Sequence, residues 1–103
     1  MAFTKKQIKK IEELGWEIEI EEYSNGKWYR ISKFSNAGED FNFSVEYKNA
    51  MEDLTDYVMW FDVSEHVREV EHMKGAPDLE TLVEDAREIE EDLQELVKEL
   101  REL

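Results

Sequence analysis

The spacing of apolar residues predicts a short helix at the start of the chain. Thr4 and Gln7 have the three-residue separation of a capping box, and Gly15 supplies a stop signal. The apolar positions between these signals share one helical face: Ile8, Ile11 and Leu14. Lysines cover the other face, and we interpret them as a solvated surface rather than a phosphate-binding patch. They are Lys5, Lys6, Lys9 and Lys10.

The chain then alternates apolar and polar residues with the two-residue period of β-strands. The first predicted strand covers residues 16–23 and the second covers residues 27–34, with the hairpin signal Asn25-Gly26 between them. A longer turn at residues 35–39 leads to the third strand, whose alternating apolar residues are Phe41, Phe43, Val45 and Tyr47. The pattern predicts an antiparallel meander with one face toward helices.

Trp28 does not fit the inward pattern of the second strand. If Tyr29 and Ile31 face the core, Trp28 lies on the opposite side of the sheet. We expect a loop or a helix to cover it, and a contact with a partner protein is the alternative.

Two short helices are predicted after the sheet. Asn49 and Glu52 have the spacing of a second capping box. The apolar face of the helix that follows consists of Met51, Leu54, Val58 and Phe61. Residues 58–63 also suit a short strand, although we favour the helix.

The second of these helices begins near Asp62 or Ser64, either of which is a suitable N-cap residue. Its apolar face is formed by Val67, Val70 and Met73. The segment Gly75-Ala76-Pro77 ends it, because glycine and proline both interrupt helices.

The last quarter of the chain has the most regular pattern. From Asp78 to Leu103 the apolar residues fall at alternating spacings of three and four, which is an a/d heptad over about three and a half repeats. We call these residues the apolar seam: Leu79, Leu82, Ala86, Ile89, Leu93, Leu96, Leu100 and Leu103. The pattern predicts a long helix that Asp78 caps, directly after Pro77.

The predicted fold class is therefore α+β, in a single domain that covers residues 1–103. A short N-terminal helix precedes a three-stranded antiparallel meander, and two short helices and one long acidic C-terminal helix follow it.

The apolar seam admits two interpretations. Val83 and Val97 widen the apolar stripe beyond a two-residue seam, which favours packing on the chain's own core. In the alternative the helix, about 38 Å long, pairs with another chain. A parallel homodimer is disfavoured because the g-type positions are acidic and lack a basic partner, whereas an antiparallel pair or a basic partner helix fits better. Those positions are Asp78, Asp85, Asp92 and Glu99.

Charge is the outlying feature of the composition. The chain has 27 acidic and 13 basic residues and a net charge of −14. Residues 1–33 carry a net charge of +1, whereas residues 34–77 carry −7 and residues 78–103 carry −8. Such a field repels nucleic acid and attracts basic surfaces, so we expect a protein partner with a basic surface and no direct binding of nucleic acid. The hydrophobic content of 41% argues for a folded domain rather than an acidic disordered tail.

No group of residues identifies a reaction. Cysteine is absent, which excludes a disulfide and a thiolate nucleophile or metal ligand. Glu69 and His72 form one E-x-x-H pair, but carboxylate-bridged metal bundles need two, and His66 is six residues from His72. No phosphate-binding loop, zinc-protease motif or nucleophile elbow is present. We predict no metal, no cofactor and no enzymatic activity.

The sequence also indicates where the protein works. No apolar run approaches the length of a membrane span, and the first residues lack the apolar core of a signal peptide. We expect a cytoplasmic protein.

The outer face of the last helix suggests a sharper hypothesis. Its glutamates lie about 4.5–6 Å apart along the helix axis, and duplex DNA offers one charge per ~3.4 Å of each strand. A rigid acidic helix can therefore take the place of a phosphate backbone on an enzyme, or it can serve only as a solubilising face. These glutamates are Glu84, Glu88, Glu91 and Glu95.

This order of elements, in a strongly acidic chain of about a hundred residues, resembles that of the small anti-CRISPR proteins of phages. The resemblance covers element order and charge along the chain and includes no diagnostic motif. It implies an inhibitor that occupies the DNA-binding region of a Cas effector with carboxylates, in the cytoplasm of the host cell.

We therefore predict an acidic protein-binding inhibitor of a nucleic-acid-handling enzyme, with an anti-CRISPR protein as its most specific form. The alternative is a structural or assembly protein of a phage or bacterium that oligomerises through its C-terminal helix, for example as a homodimer. The predicted partner-binding residues are Glu84, Glu88, Glu91, Glu95, Glu52, Asp53 and Asp56.

Overall fold

The structure, a computed structural model that describes residues 1–103, consists of four helices and one three-stranded sheet. This architecture confirms the predicted α+β class and the predicted order of elements. The elements are α1 (Lys5–Glu13), β1 (Glu17–Tyr23), β2 (Gly26–Phe34), β3 (Asp40–Glu46), α2 (Ala50–Trp60), α3 (Val63–Val70) and α4 (Leu79–Arg101).

The sheet is an antiparallel meander in the order β1-β2-β3. Ile18, Ile31 and Phe43 lie opposite one another across the three strands and form one row of the inner face. The β3 pattern is confirmed, because Phe41, Phe43 and Val45 are buried while the residues between them are exposed. Apolar residues at every second position thus give the sheet one face for the helices.

The β1–β2 hairpin forms as predicted, but its turn lies one residue earlier. Tyr23 pairs with Gly26, so the loop consists of Ser24 and Asn25. Neither loop residue has a positive φ, and Gly26 takes that role with a φ of 132°. Glycine tolerates this conformation because it lacks a Cβ atom.

The outer face of the sheet is open to solvent. Trp28 is half-buried there, belongs to neither core cluster, and has Glu21 and Glu46 as its cross-strand neighbours. The expectation that a loop or helix covers this side chain is therefore wrong. The main core is formed by the inner face of the sheet together with residues of α1, α2 and α4.

The caps of α1 and α2 differ. Thr4 caps α1 with the complete capping box, in which the Gln7 backbone N–H donates to Thr4 and the Gln7 side chain accepts from the Thr4 N–H. The predicted capping box at Asn49 is wrong, because the Asn49 side chain makes no capping hydrogen bond. The first N–H of α2 has an acceptor in the N-terminal segment, since the Ala50 N–H donates to the Met1 carbonyl over 3.2 Å.

Helix α2 continues through Trp60, so the favoured helical interpretation of this region is confirmed and the alternative strand at residues 58–63 is not formed. Asp62 is the N-cap of α3 and accepts from the Glu65 N–H over 3.1 Å. The apolar face of α3 is shorter than predicted, because the helix ends at Val70 and Met73 lies beyond it, 60% exposed.

The apolar seam of α4 packs against other elements of the same chain, which confirms the interpretation of the seam as part of the chain's own core. Only the two terminal seam residues, Leu79 and Leu103, are exposed. The others are buried: Leu82, Ala86, Ile89, Leu93, Leu96 and Leu100. The C-terminal half of the seam packs into the main core with α1, α2 and the sheet, and the N-terminal half forms a second cluster with Val67 and Val70 of α3.

Candidate protein-binding surfaces

Four predicted partner-binding residues form a solvent-exposed row on α4, which we call the outer acidic row: Glu84, Glu88, Glu91 and Glu95. Spacings of three and four residues keep them on one helical face, opposite the buried seam. Because the seam holds α4 against the core, the row has a fixed direction relative to the rest of the molecule.

The acidic g-type positions of α4 have partners within the chain. Asp78 caps the helix by accepting from the Thr81 N–H over 2.9 Å, and this bond lowers the pKa of Asp78. The other three contact earlier elements. Asp85 binds the loop between β2 and β3, Asp92 pairs with Lys33 over 3.2 Å, and Glu99 lies 3.9 Å from Lys10. In a parallel homodimer these four carboxylates would face no basic residue, whereas within the single chain each has a hydrogen-bond donor or a lysine as its partner.

Asp85 is the one buried charged residue, with 5% of its surface exposed. Its carboxylate accepts from the Ser35 hydroxyl over 2.6 Å and from the Ala37 N–H over 3.0 Å. In the same loop, the Asn36 amide donates to Glu88. Glu88 is therefore partly engaged by its own chain, and the other three residues of the outer acidic row have no such bond.

The three predicted residues on α2 occupy different surroundings. Glu52 and Asp53 lie in the first turn, where a negative charge stabilises a helix. Asp53 also accepts from the Glu46 N–H over 2.8 Å, which connects α2 to the end of β3. Asp56 is exposed. The structure thus brings Asp53 and Asp56 together in a groove that contains no residue of α4.

This groove, which we call the α2–α3 groove, has a volume of about 360 Å³ and lies between α2, α3 and β3. Aromatic side chains from the end of α2 and the residue after it line it: Tyr57, Trp60 and Phe61. Five carboxylates surround them, and none of the five takes part in an ion pair of the chain. These carboxylates are Asp53, Asp56, Asp62, Glu65 and Glu69.

The aromatic residues of the groove differ in burial. Tyr57 stacks on Phe43 with ring centroids 4.2 Å apart and planes 6° apart, so it is fixed against the sheet. Burial, followed by the charges of Glu69 and Glu39, raises the pKa of Tyr57 to about 12, so its hydroxyl keeps its proton at neutral pH. Trp60, in contrast, is 79% exposed.

His66 lines the groove and connects α3 to the loop before β3. Its Nε2 lies 2.9 Å from Oε1 of Glu39, and its ring packs against Phe41 and Phe61 with centroids 5.5 Å away in each case. The hydrogen bond with Glu39 raises the pKa of His66 above its usual value, although burial acts in the opposite direction. Only 12% of the His66 side chain is exposed.

Sequence analysis did not identify Trp60 or the α2–α3 groove. A helical wheel of α2 does indicate that Trp60 is exposed. Trp60 follows Met51 by about two and a half turns and therefore falls opposite the apolar face of α2. The groove itself requires α3 to fold back beside α2, and no local pattern predicts that placement.

No group of three or more histidine, aspartate or glutamate side chains has an arrangement that could hold a metal ion. None of the helices combines the length and the apolar character needed to cross a membrane. Comparisons with protein-family models, with curated proteins and with solved structures identified no match. The functional argument therefore rests on the two acidic surfaces.

Proposed function

We propose that this chain binds a basic surface of another protein and thereby inhibits a nucleic-acid-handling enzyme. The observation that supports the proposal is the outer acidic row, whose four glutamates face solvent along roughly 17 Å of one helix. Enzymes that bind nucleic acid hold its phosphates with lysine and arginine, and such residues are complementary to a row of carboxylates.

The rigidity of α4 favours this function over that of a flexible acidic tail. The buried seam fixes the helix, so its backbone need not be ordered when a partner binds, and backbone ordering is part of the cost of association for a flexible tail. A solubilising face would contain the same residues without a partner. The two roles differ in one property, which is competition with nucleic acid for an enzyme.

The most specific form of the proposal is an anti-CRISPR protein of a phage, which acts in the cytoplasm of the host on a Cas effector. Resemblance in element order and charge supports this form. Occupation of the effector's DNA-binding surface by carboxylates then prevents the effector from binding its target.

The alternative function is an assembly protein that oligomerises through α4. That function requires apolar surface on the helix, and most of the seam is buried in the chain's own core. Leu79 and Leu103 remain exposed at opposite ends of the seam. The apolar area that remains for pairing along α4 is therefore small, and we favour inhibition.

A competition experiment tests the proposal. A guide-loaded Cas effector is bound to labelled target duplex, and the fraction of duplex bound is measured as the chain is added. We expect the chain to displace the duplex and the variant Glu84→Gln/Glu91→Gln/Glu95→Gln to be about tenfold less potent, since each exposed charge pair contributes modestly.

The matched control is Glu12→Gln/Glu17→Gln/Glu19→Gln, which removes three exposed charges from α1 and β1 and leaves α4 unchanged. It is expected to keep most of the potency. Equal potency of the two triple variants would contradict a role of the outer acidic row. If the chain displaces duplex from none of the effectors tested, inhibition by this route is contradicted.

A further inference from the structure

We infer that the α2–α3 groove is a second docking site, which accepts an arginine side chain from a basic segment of the partner and stacks its guanidinium on Trp60. The inference rests on the proposed function, because it assumes a basic protein partner. It adds a site, a side-chain type and a contact residue that the outer acidic row does not supply.

The first argument is the position of Trp60. Single exposed apolar residues are common on protein surfaces and need no explanation. Trp60 differs because it borders a concave groove, is 79% exposed, and follows Met59, which is 66% exposed. A large aromatic surface is therefore left uncovered beside a recess whose other aromatic residues are buried or half-buried.

The second argument is the charge around that aromatic surface. The groove contains five carboxylates, and its only other titratable groups are His66 and the protonated hydroxyl of Tyr57. No lysine or arginine lines it. An apolar ligand would gain contact with Trp60 but would desolvate these carboxylates, whereas a cationic ligand is attracted by both.

Chemistry then distinguishes arginine from lysine. Guanidinium is planar, stacks on an aromatic ring and binds a carboxylate through two parallel hydrogen bonds, and it is more weakly hydrated than an ammonium group. Asp56, Glu65 and Glu69 are exposed and lie in no ion pair of the chain, so they are available for such bonds. A volume of about 360 Å³ suits one or two side chains of a peptide.

Nuclear magnetic resonance of the full chain tests the inference, because its three tryptophans provide separate indole N–H signals. The probe is a short capped glycine-arginine peptide, and a lysine peptide of equal charge is the comparison. We expect the arginine peptide to shift the Trp60 indole signal together with backbone amides of α2 and α3, and to bind several-fold more tightly than the lysine peptide.

The variant Trp60→Ala should bind the arginine peptide about tenfold more weakly, as expected for loss of a partly desolvated cation–π contact, and Trp60→Phe should fall between. Phe34→Ala is the matched control, because Phe34 is also an exposed aromatic residue, at 72%, but lies at the end of β2. It should bind like the unmodified chain.

The outcomes separate this inference from the proposed function. An unmoved Trp60 signal, or equal binding by Trp60→Ala and Phe34→Ala, would overturn the groove site. If the peptide instead shifts only amides of residues 84–95, the groove site is wrong while the outer acidic row remains supported. Conversely, groove binding in a chain that displaces no duplex would support the site and contradict inhibition.

Discussion

At the scale of single residues, Asp85 shows how a charged residue, of a kind usually exposed, can be buried and stabilise the fold. Its sequence position marks it only as an acidic g-type residue of a heptad, because its partner Ser35 lies 50 residues earlier. Local pattern cannot predict such a pair. Once the loop between β2 and β3 lies against α4, the carboxylate becomes buried and is stabilised by two hydrogen bonds.

We expect Asp85→Ala to lower the free energy of unfolding by about 2–3 kcal/mol, since it leaves a hydroxyl and a backbone N–H without their charged acceptor. Urea unfolding followed by circular dichroism measures the loss. Glu84→Ala, one residue away and exposed, is the control and should stay within about 0.5 kcal/mol of the unmodified chain. Equal stability of the two variants would contradict the assigned role of Asp85.

His66 makes a pH-dependent contribution to stability. Its hydrogen bond with Glu39 raises its pKa in the folded chain above the ordinary value of about 6.5, so folding favours the protonated form. The stabilisation is fully present below that ordinary value, and it is lost as pH rises through the raised folded value. Glu69 and Asp85 reinforce the shift in pKa through their charges.

The prediction is that the stability difference between the unmodified chain and His66→Gln shrinks as pH rises from below about 6.5. Urea unfolding at a series of pH values measures it. His72→Gln is the comparison variant, because the His72 side chain is 83% exposed, and its effect on stability should be smaller than that of His66→Gln. A His66→Gln difference that grows with pH has the wrong sign for this interpretation.

At the scale of elements, the helices and strands with the most regular sequence patterns were the ones predicted correctly. The seam of α4, the alternation of β3 and the caps at Thr4 and Asp78 formed as predicted, because each depends on residues within a turn or a strand. Of the two N-caps considered for α3, Asp62 and Ser64, the structure has Asp62. The cap at Asn49 did not form, and the backbone of Asn49, with φ −127° and ψ 49°, lies outside the extended region that the other three N-caps adopt. The three-residue spacing of Asn49 and Glu52 does not determine that backbone conformation.

Leu93 tests the role of α4 in the core. Its side chain is fully buried within the seam, and Leu93→Ala should cost about 2–5 kcal/mol because it leaves a cavity in the main core. Leu79→Ala removes the same atoms from a seam position that is 59% exposed and should cost far less. Chemical unfolding of both variants measures the contrast, and similar losses would show that the seam is not buried as described.

At the scale of the whole molecule, the chain is flat. Its extents are 40 × 33 × 21 Å and its radius of gyration is 14.1 Å, against about 13 Å for a compact domain of a hundred residues. The main core lies between the inner face of the sheet and α1, α2 and α4, and the outer face of the sheet contributes no residue to it. The sequence indicated that Trp28 lies on this face, but whether anything covers the face depends on helix placement.

Because the seam is buried within one chain, we expect the protein to be a monomer. Light scattering at high protein concentration should give the mass of a single chain. A stable dimer that Leu79→Glu or Leu103→Glu dissociates would contradict this expectation and would favour the assembly function, since those are the seam residues that remain exposed.

The most direct test of the central claim is the salt dependence of binding to the nucleic-acid-handling enzyme that we propose the chain inhibits. Affinity is measured from about 50 mM to about 500 mM salt, for the unmodified chain and for Glu84→Lys/Glu91→Lys/Glu95→Lys. Glu88 is left unchanged because it binds Asn36. We predict that the affinity of the unmodified chain falls steeply as salt increases and that the charge-reversed variant does not bind the enzyme. An affinity that ignores salt and survives this reversal would contradict the claim that the outer acidic row binds the partner.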